Sequence, residues 1–497
     1  MDLALIVDVG TTNIKAGVVD KTGKVLTQES RNSDLKRPEK GALEHSPEEL
    51  MENMVDLIKN VSADYGDDIS VITFSGYQFG FMPMDKNNEP LTGMITLLDT
   101  RSKSIMPQLE EELPFDKIYE KTGCPPLFTY ILSRIKWLQK DKPEILEKTK
   151  WFADIKSFLI QKLCGKPYTD PSIASVTQLY NIQKKDWDQE LLDMIGIDRG
   201  QLPEVVSGDQ IVDTISAEMA EKLNLSKDVA ILPGVYDGGA MIIGMGGYDE
   251  KVGVCNLGTT AMFRSCSPDP LIDDPSQKRM QTYVLTSDRY ATGGAMNNAG
   301  VMLRWFRDNL SGDKDYPEIT AAAEEIEPGS DGVFCFPFLT GERDPRIGNM
   351  ASASFFGMKE YHTFGHMSRA LPEGIAYSLN LIKEVLQENE VTVDEIVVGG
   401  SGSKDDLWCQ IMADVFNIKT VRSVTRDSTL VGGAILAFTA LGEYKDINEA
   451  SQEIVEKGKE FVPKEENVEI YEKGYSFFKK MLDKYTDLYD LHSQYFQ

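Results

Sequence analysis

Apolar and polar positions at the start of the chain follow a strand period. Leu3-Ala4-Leu5-Ile6-Val7 is a short β-prone run, and the stretch to residue 29 reads as a meander of strands at 3–9, 13–20 and 24–29, with Lys21-Thr22-Gly23 as a turn. The period then becomes helical. Ser46 is placed to cap a helix whose first position is Pro47, with Glu49 completing a capping box and Leu50, Met54 and Ile58 on one apolar face. Residues 71–74 read as a buried strand that ends in Ser75-Gly76-Tyr77-Gln78-Phe79-Gly80. Similar signals return later: strands at 229–232 and 252–255, an amphipathic segment at 301–306, and a helix with Leu407, Ile411 and Val415 on one face. After Pro463, Tyr471, Tyr475, Phe478 and Leu482 recur at helical spacing and predict a packing or dimer helix.

One phrase occurs twice, about half the chain apart. Asp8-Val9-Gly10-Thr11-Thr12 follows the first strand, and Asn256-Leu257-Gly258-Thr259-Thr260 follows the strand at 252–255. A strand ending in Gly-Thr-Thr is expected to turn tightly through a glycine at positive φ, bringing backbone N–H groups and two hydroxyls to a volume that suits a phosphate. Repetition on this scale points to a duplicated domain. The order β-β-β-α-β-α in each half gives a mixed sheet covered by helices, the layout of the actin-like, ribonuclease H-like folds by analogy. Two α/β domains are expected, at residues 1–247 and 248–497, with a helical tail from about residue 464 and a site in the cleft between them.

Composition narrows the function classes. The 497 residues exceed what one core supports, and 41% hydrophobic with 26% charged residues is globular composition. No run approaches the ~20 apolar residues of a membrane span, and the first strand begins almost at Met1, so no membrane and a cytoplasmic location are expected. A net charge of −27 argues against nucleic acid as a partner. It would also repel a nucleotide, so a phosphate site must concentrate N–H donors, cations and a metal ion. Lys15 is a candidate cation; from spacing alone it is equally a solvated strand lysine. The six cysteines lack metal-ligand spacing and read as free thiols.

Further candidate chemistry sits in three glycine-rich segments. Asp237 opens Asp237-Gly238-Gly239-Ala240 after the strand at 229–232, where a carboxylate can accept the proton of an attacking hydroxyl or simply cap the helix. Gly293-Gly294 through Gly300 leads to Arg304, and Gly399-Gly400-Ser401-Gly402 leads to Asp405; each reads as a loop opening a helix, suited to a flat base or a phosphate. The four histidines lie outside these segments, which favours a carboxylate base.

These segments, with Gly341-Glu342-Arg343-Asp344-Pro345 and Phe356-Gly357 between them, resemble the FGGY carbohydrate kinases in order along nearly the whole chain. The resemblance implies ATP and Mg²⁺ as cofactors, Asp237 as general base, Asp8 at the metal, and Thr11, Thr12, Lys15, Gly258 and Thr259 at phosphates. It places Gly300, Arg304, Gly400, Ser401 and Asp405 around the adenosine. Within the family the chain is most similar to gluconokinases, through Met84-Asp85-Lys86-Asn87-Asn88 and Gly294 to Trp305. The sugar wall departs from the family pattern: Gln78-Phe79 stands where Met-His is usual, and Leu97 where tryptophan is. Gln78, Phe79, Asp99, Asp237 and Asp154 are candidates for the sugar hydroxyls, and Arg101 for a carboxylate, although Arg101 could equally pair with Asp99. Gluconate leads as acceptor, with xylulose or another ketose or polyol as the alternative. A silent sugar binder or a non-catalytic actin-like ATPase is the alternative of another class, and a homodimer is compatible with the sequence.

Overall fold

A computed structural model describes residues 2–496. The predicted meander forms: β1 (Leu3–Val9), β2 (Asn13–Val19) and β3 (Val25–Asn32) pair antiparallel. On the other side of β1 lie β4 (Ile69–Gly76) and then β5 (Ala230–Tyr236), both parallel to it. The second sheet contains β6 (Val252–Leu257), β7 (Ala261–Ser267), β8 (Gln281–Thr286), β9 (Arg289–Met296), β10 (Glu395–Gly399), β11 (Lys419–Ser423) and β12 (Lys457–Phe461). Its order is β8-β9-β7-β6-β10-β11-β12. Within it, β9-β7-β6-β10-β11 repeats β3-β2-β1-β4-β5 in both neighbours and directions. The duplication inferred from the repeated phrase is thus a duplication of sheet topology.

The helices that concern the site are α1 (Pro47–Ser62), α2 (Ile131–Asp141), α3 (Ile155–Cys164), α4 (Asp237–Gly244), α5 (Gly300–Leu310), α6 (Tyr316–Glu324), α7 (Phe364–Glu388), α8 (Asp406–Phe416), α9 (Ser428–Ala440) and α10 (Glu465–Phe496). They cover both faces of each sheet, which is why β1 is apolar from Leu3 to Val7 and polar only at Asp8 near its end: Leu5, Val7 and Val9 face one core while Ala4 and Ile6 face another. Ser46 caps α1 by accepting the Glu49 N–H at 3.3 Å. The expected capping box is not completed, because the Glu49 carboxylate pairs with Lys36 at 2.7 Å.

Helix α9 belongs to the second half of the chain yet packs on β1, β4 and β5 of the first sheet and against α4. Glycines make that crossing close. A Cβ on Gly244 would lie 1.9 Å from the Ser428 carbonyl oxygen, and one on Gly432 1.9 Å from that of Ala240. The two halves therefore share one buried cluster in which Ile6, Ile243 and Leu430 pack together, and residues from both ends of the chain meet at the cleft.

Helix α10 is a packing helix: Tyr471, Phe478 and Leu482 are buried in the second core, with Phe478 stacked on Phe336 at 4.8 Å. All six cysteines are free, five of them buried. Among the described residues no helix is long and apolar enough to cross a membrane.

Candidate active site

The two Gly-Thr-Thr turns stand at the ends of β1 and β6, the equivalent first strands of the two sheets. In the first, the Gly10 N–H donates to the Asn13 carbonyl at 2.9 Å; in the second, the Gly258 N–H donates to the Thr260 carbonyl at 3.0 Å. Neither glycine adopts the positive φ expected from the sequence. Gly10 permits a close approach, since a Cβ would lie 3.0 Å from Asn13 O; at Gly258 a Cβ would meet Thr260 O at 3.4 Å, an ordinary contact. Thr12, Thr259 and Thr260 are exposed and Thr11 is half-buried.

Around the first turn the fold assembles an acidic cluster. Register places Asp8 directly across from Lys15. The Asp8 carboxylate accepts from the Ser75 hydroxyl at the end of β4 and from the Thr429 hydroxyl at the start of α9, the latter at 3.0 Å. Lys15 pairs with Asp427, immediately before α9. Burial lifts the Asp8 carboxyl above its ordinary value, opposed by the Ser75 and Thr429 hydrogen bonds. Asp237, the first residue of α4, is pushed up to about 7, by burial first and the charge of Asp8 second, against the Gly238 N–H and the charge of Lys156. Asp237 is not the helix cap; its carboxylate accepts from the adjacent Gly238 N–H, at 2.7 Å.

Its position is fixed from beneath. The Lys156 ammonium on α3 pairs with Asp170 at 2.5 Å and donates to the Pro233 carbonyl at 3.1 Å, all fully buried. Asp170 in turn accepts from Ser172, whose hydroxyl oxygen accepts the Tyr236 N–H at 2.9 Å. Ser75, Asp427 and Thr429 escaped the sequence reading. A signal existed: Asp427-Ser428-Thr429 opens a small-residue helix much as Asp237-Gly238-Gly239 does. His45 also reaches the site, its Nε2 lying 2.9 Å from the Thr11 carbonyl, although it is far from every glycine-rich segment in sequence.

Beside the second turn is a cavity of about 660 Å³ lined by Thr259, Gly300, Arg304, Ser401 and Asp405 among the expected residues, with Tyr316, Pro317, Leu371 and Pro372 supplied by α6 and α7. Gly258 and Gly400 do not line it themselves but directly precede the lining residues Thr259 and Ser401. The Gly300 N–H donates to the Gly258 carbonyl at 2.9 Å, and a Cβ on Gly400, at φ +83°, would meet the Leu257 carbonyl oxygen at 2.5 Å. Arg304 donates to the Thr259 hydroxyl at 3.3 Å. Asp405 is a wall support: one oxygen caps α8 through the Trp408 N–H and the other accepts from Thr320 of α6 at 2.5 Å. Gly293 and Gly294 are not in a loop, as expected, but inside β9.

At the other end of the cleft, after β4, the Gln78 amide nitrogen is buried with no partner among the described residues. Phe79 is half-buried at φ +66°, edge-on to Tyr130 at 5.4 Å, so its ring is also part of the core. Its carbonyl, with those of Ile95 and Thr96, accepts from Arg134, a fully buried guanidinium on α2 that ties the segment after β4 to residues 95–96. Asp99 and Arg101 do not present free groups. Asp99 is 2% exposed and accepts from the Leu43 N–H at 3.0 Å, and Arg101 is held by Asp99, Glu39 and Glu44 over the Trp137 ring. The pairing alternative is the one that forms. Asp154 is likewise occupied, as the N-cap of α3 with a full capping box.

Comparison with known proteins accords with this geometry. Residues 3–244 match the FGGY family of carbohydrate kinases, N-terminal domain, and residues 253–441 match its C-terminal domain. A gluconokinase of Bacillus subtilis (strain 168) is 30% identical over 460 residues, 90% of this chain and 89% of that protein. The crystal structure of a ligand-bound xylulose kinase from Lactobacillus acidophilus superposes with a TM-score of 0.94 at 28% identity, covering 99% of both chains. A gluconate kinase from the same organism gives 0.92 at 28% identity, over 96% of this chain and 97% of that one.

Proposed function

Because this chain belongs to the FGGY family of carbohydrate kinases, we propose that it transfers the γ-phosphate of ATP to a hydroxyl of a small sugar or sugar acid, gluconate first, with Asp237 as the general base. The observation that carries this reading is Asp237 itself. It is a carboxylate raised to about 7 that accepts from the adjacent Gly238 N–H and feels the charge of Asp8 at the end of β1. A base poised near neutral pH takes a hydroxyl proton efficiently, with about half of its molecules ionised at pH 7.

The donor end is the cavity beside Thr259. Adenosine lies along Gly300, Arg304, Gly400 and Ser401, behind the wall that Asp405 supports, and the phosphates run to Gly258, Thr259 and, across the cleft, Thr11 and Thr12. Lys15 exchanges Asp427 for a phosphate oxygen when nucleotide enters. Family members use ATP, generally with a divalent metal, and the donor set here fits Mg²⁺: Asp8 and Asp427 are hard oxygen ligands beside the threonine hydroxyls. Bound there, the ion would neutralise phosphate charge. At the acceptor end Gln78 and Phe79 face the sugar, the amide offering its unpaired donor to a hydroxyl.

Asp237 accepts the proton of the terminal hydroxyl as that oxygen attacks the γ-phosphorus in line, while the N–H groups of the two turns hold the transferred oxygens. Arg101 takes no part, since three carboxylates already occupy its guanidinium. The test is ADP release from MgATP with gluconate, xylulose, ribulose, fuculose, rhamnulose, erythritol and glycerol in turn. One strong responder is expected; nucleotide binding without any acceptor-stimulated ADP release would overturn the assignment.

A further inference from the structure

With Arg101 occupied, an acidic acceptor needs another cation, and few are free. Lys15 pairs with Asp427, Lys156 with Asp170, and Arg134 with three backbone carbonyls. Arg264 differs. It is only 6% exposed, yet it has no carboxylate partner among the described residues.

Its position follows from the register of the second sheet. Arg264 on β7 is paired with Gly293 on β9, which is paired with Gln281 on β8. A glycine at the middle position leaves the sheet face open there, so the arginine side chain crosses β9 and donates to the Gln281 carbonyl and to its side-chain oxygen, each at 2.8 Å. The other N–H groups of the fork have no protein acceptor among the described residues. The guanidinium also lies over the Tyr283 ring, 5.1 Å from its centroid.

Tyr283 belongs to the acceptor end of the cleft. Its hydroxyl is 2.9 Å from that of Tyr130, the ring that meets Phe79, and its own ring packs edge-on at 6.3 Å against Tyr236, the residue before Asp237. Phe79 and the buried rings of Tyr130, Tyr283 and Tyr236 thus form a continuous aromatic chain from the sugar segment to the candidate base, and Arg264 lies over the Tyr283 ring at its middle. Arg343, whose charge also acts on Tyr283, donates to Asn297 and likewise has no ion-pair partner among the described residues. A buried cation without a counter-charge is costly unless a ligand supplies one.

We propose that Arg264 receives the carboxylate of an aldonate-type acceptor and so sets the site's preference for a sugar acid over the corresponding uncharged polyol. This rests on the reading of the cleft as the acceptor site of a kinase. The geometry is that of a rigid planar fork, anchored on one side by Gln281, with its remaining donors available for a carboxylate.

Calorimetric titration of the full chain with D-gluconate and D-glucitol, which differ at one end by carboxylate against hydroxymethyl, isolates the interaction. The wild type should bind gluconate at least tenfold more tightly. Arg264→Met should lower gluconate affinity at least tenfold and leave glucitol within twofold, with Arg264→Lys between them. Equal affinity for the two ligands, no binding of either, or a parallel loss of both in Arg264→Met would overturn the proposal. Measured alongside, ADP release separates the two readings. Arg264-dependent gluconate binding without phosphorylation leaves this proposal standing and removes the kinase assignment for that acceptor. Phosphorylation of an uncharged sugar with no gluconate binding does the reverse.

Discussion

Replacing Asp237 by asparagine should stabilise the protein while abolishing turnover, and the size and pH dependence of the gain follow from the site. The carboxyl titrates near 7 in the folded chain against an ordinary value of 3.8. A difference of about three pH units corresponds to a ceiling of roughly 4 kcal/mol against folding once both states are ionised. Asp237 is partly open to the cleft, so about 2 kcal/mol is the working figure. Below about 4 the group is protonated in both states and no cost arises. Between 4 and 7 the folded state holds a proton that the unfolded state has released, and the cost grows; above 7 it is constant. Asparagine removes the charge and keeps an oxygen to accept the Gly238 N–H. Urea unfolding followed by the fluorescence of the five tryptophans should therefore show the variant more stable by about 2 kcal/mol at pH 8.5, with the gap closing towards pH 4. A variant less stable than wild type at pH 8.5, or a gap indifferent to pH, would refute the argument that burial and Asp8 strain this carboxylate.

Three other outcomes are expected. The acceptor kcat/KM should fall about tenfold per pH unit below about 7 and level off above it, since only ionised Asp237 accepts a proton; a flat profile from pH 5 to 8 would remove it as the base. Gly300→Ala puts a methyl group 2.6 Å from the Gly258 carbonyl oxygen, backbone against backbone, and the resulting shift of the second Gly-Thr-Thr turn should raise the KM for ATP about tenfold, consistent with the ~1–3 kcal/mol cost of overpacking. Arg134→Met leaves the carbonyls of Phe79, Ile95 and Thr96 without their donor, and should cost about 3 kcal/mol of stability and raise the acceptor KM more than the ATP KM in steady-state assays.

Local sequence carried much of the fold. The alternation in residues 3–29, the Ser46 cap and the repeated Gly-Thr-Thr phrase are short-range signals, and the strands, helix and turns they predict are present. What it could not carry were contacts between distant segments. Lys15 meets Asp427 across 412 positions, and Thr429 meets Asp8 across 421, because α9 returns to pack on the first sheet. Arg101 was legible as a cation but not as an occupied one, since Glu39 and Glu44 join it only when the chain folds. Asp154 and Asp405 have the residue type of ligands and the duty of helix caps, which chemistry alone does not distinguish. The turn glycines were expected at positive φ and neither adopts it; Gly10 instead permits a close approach to the Asn13 carbonyl.

The most direct test of the central claim is phosphorus NMR of MgATP and gluconate incubated with the wild type and with Asp237→Asn. The wild type should produce ADP and one new phosphomonoester resonance, and the variant, still binding nucleotide, should produce neither. ADP accompanied only by inorganic phosphate, or a phosphomonoester formed at an undiminished rate by the variant, would contradict transfer to a sugar hydroxyl with Asp237 as its base.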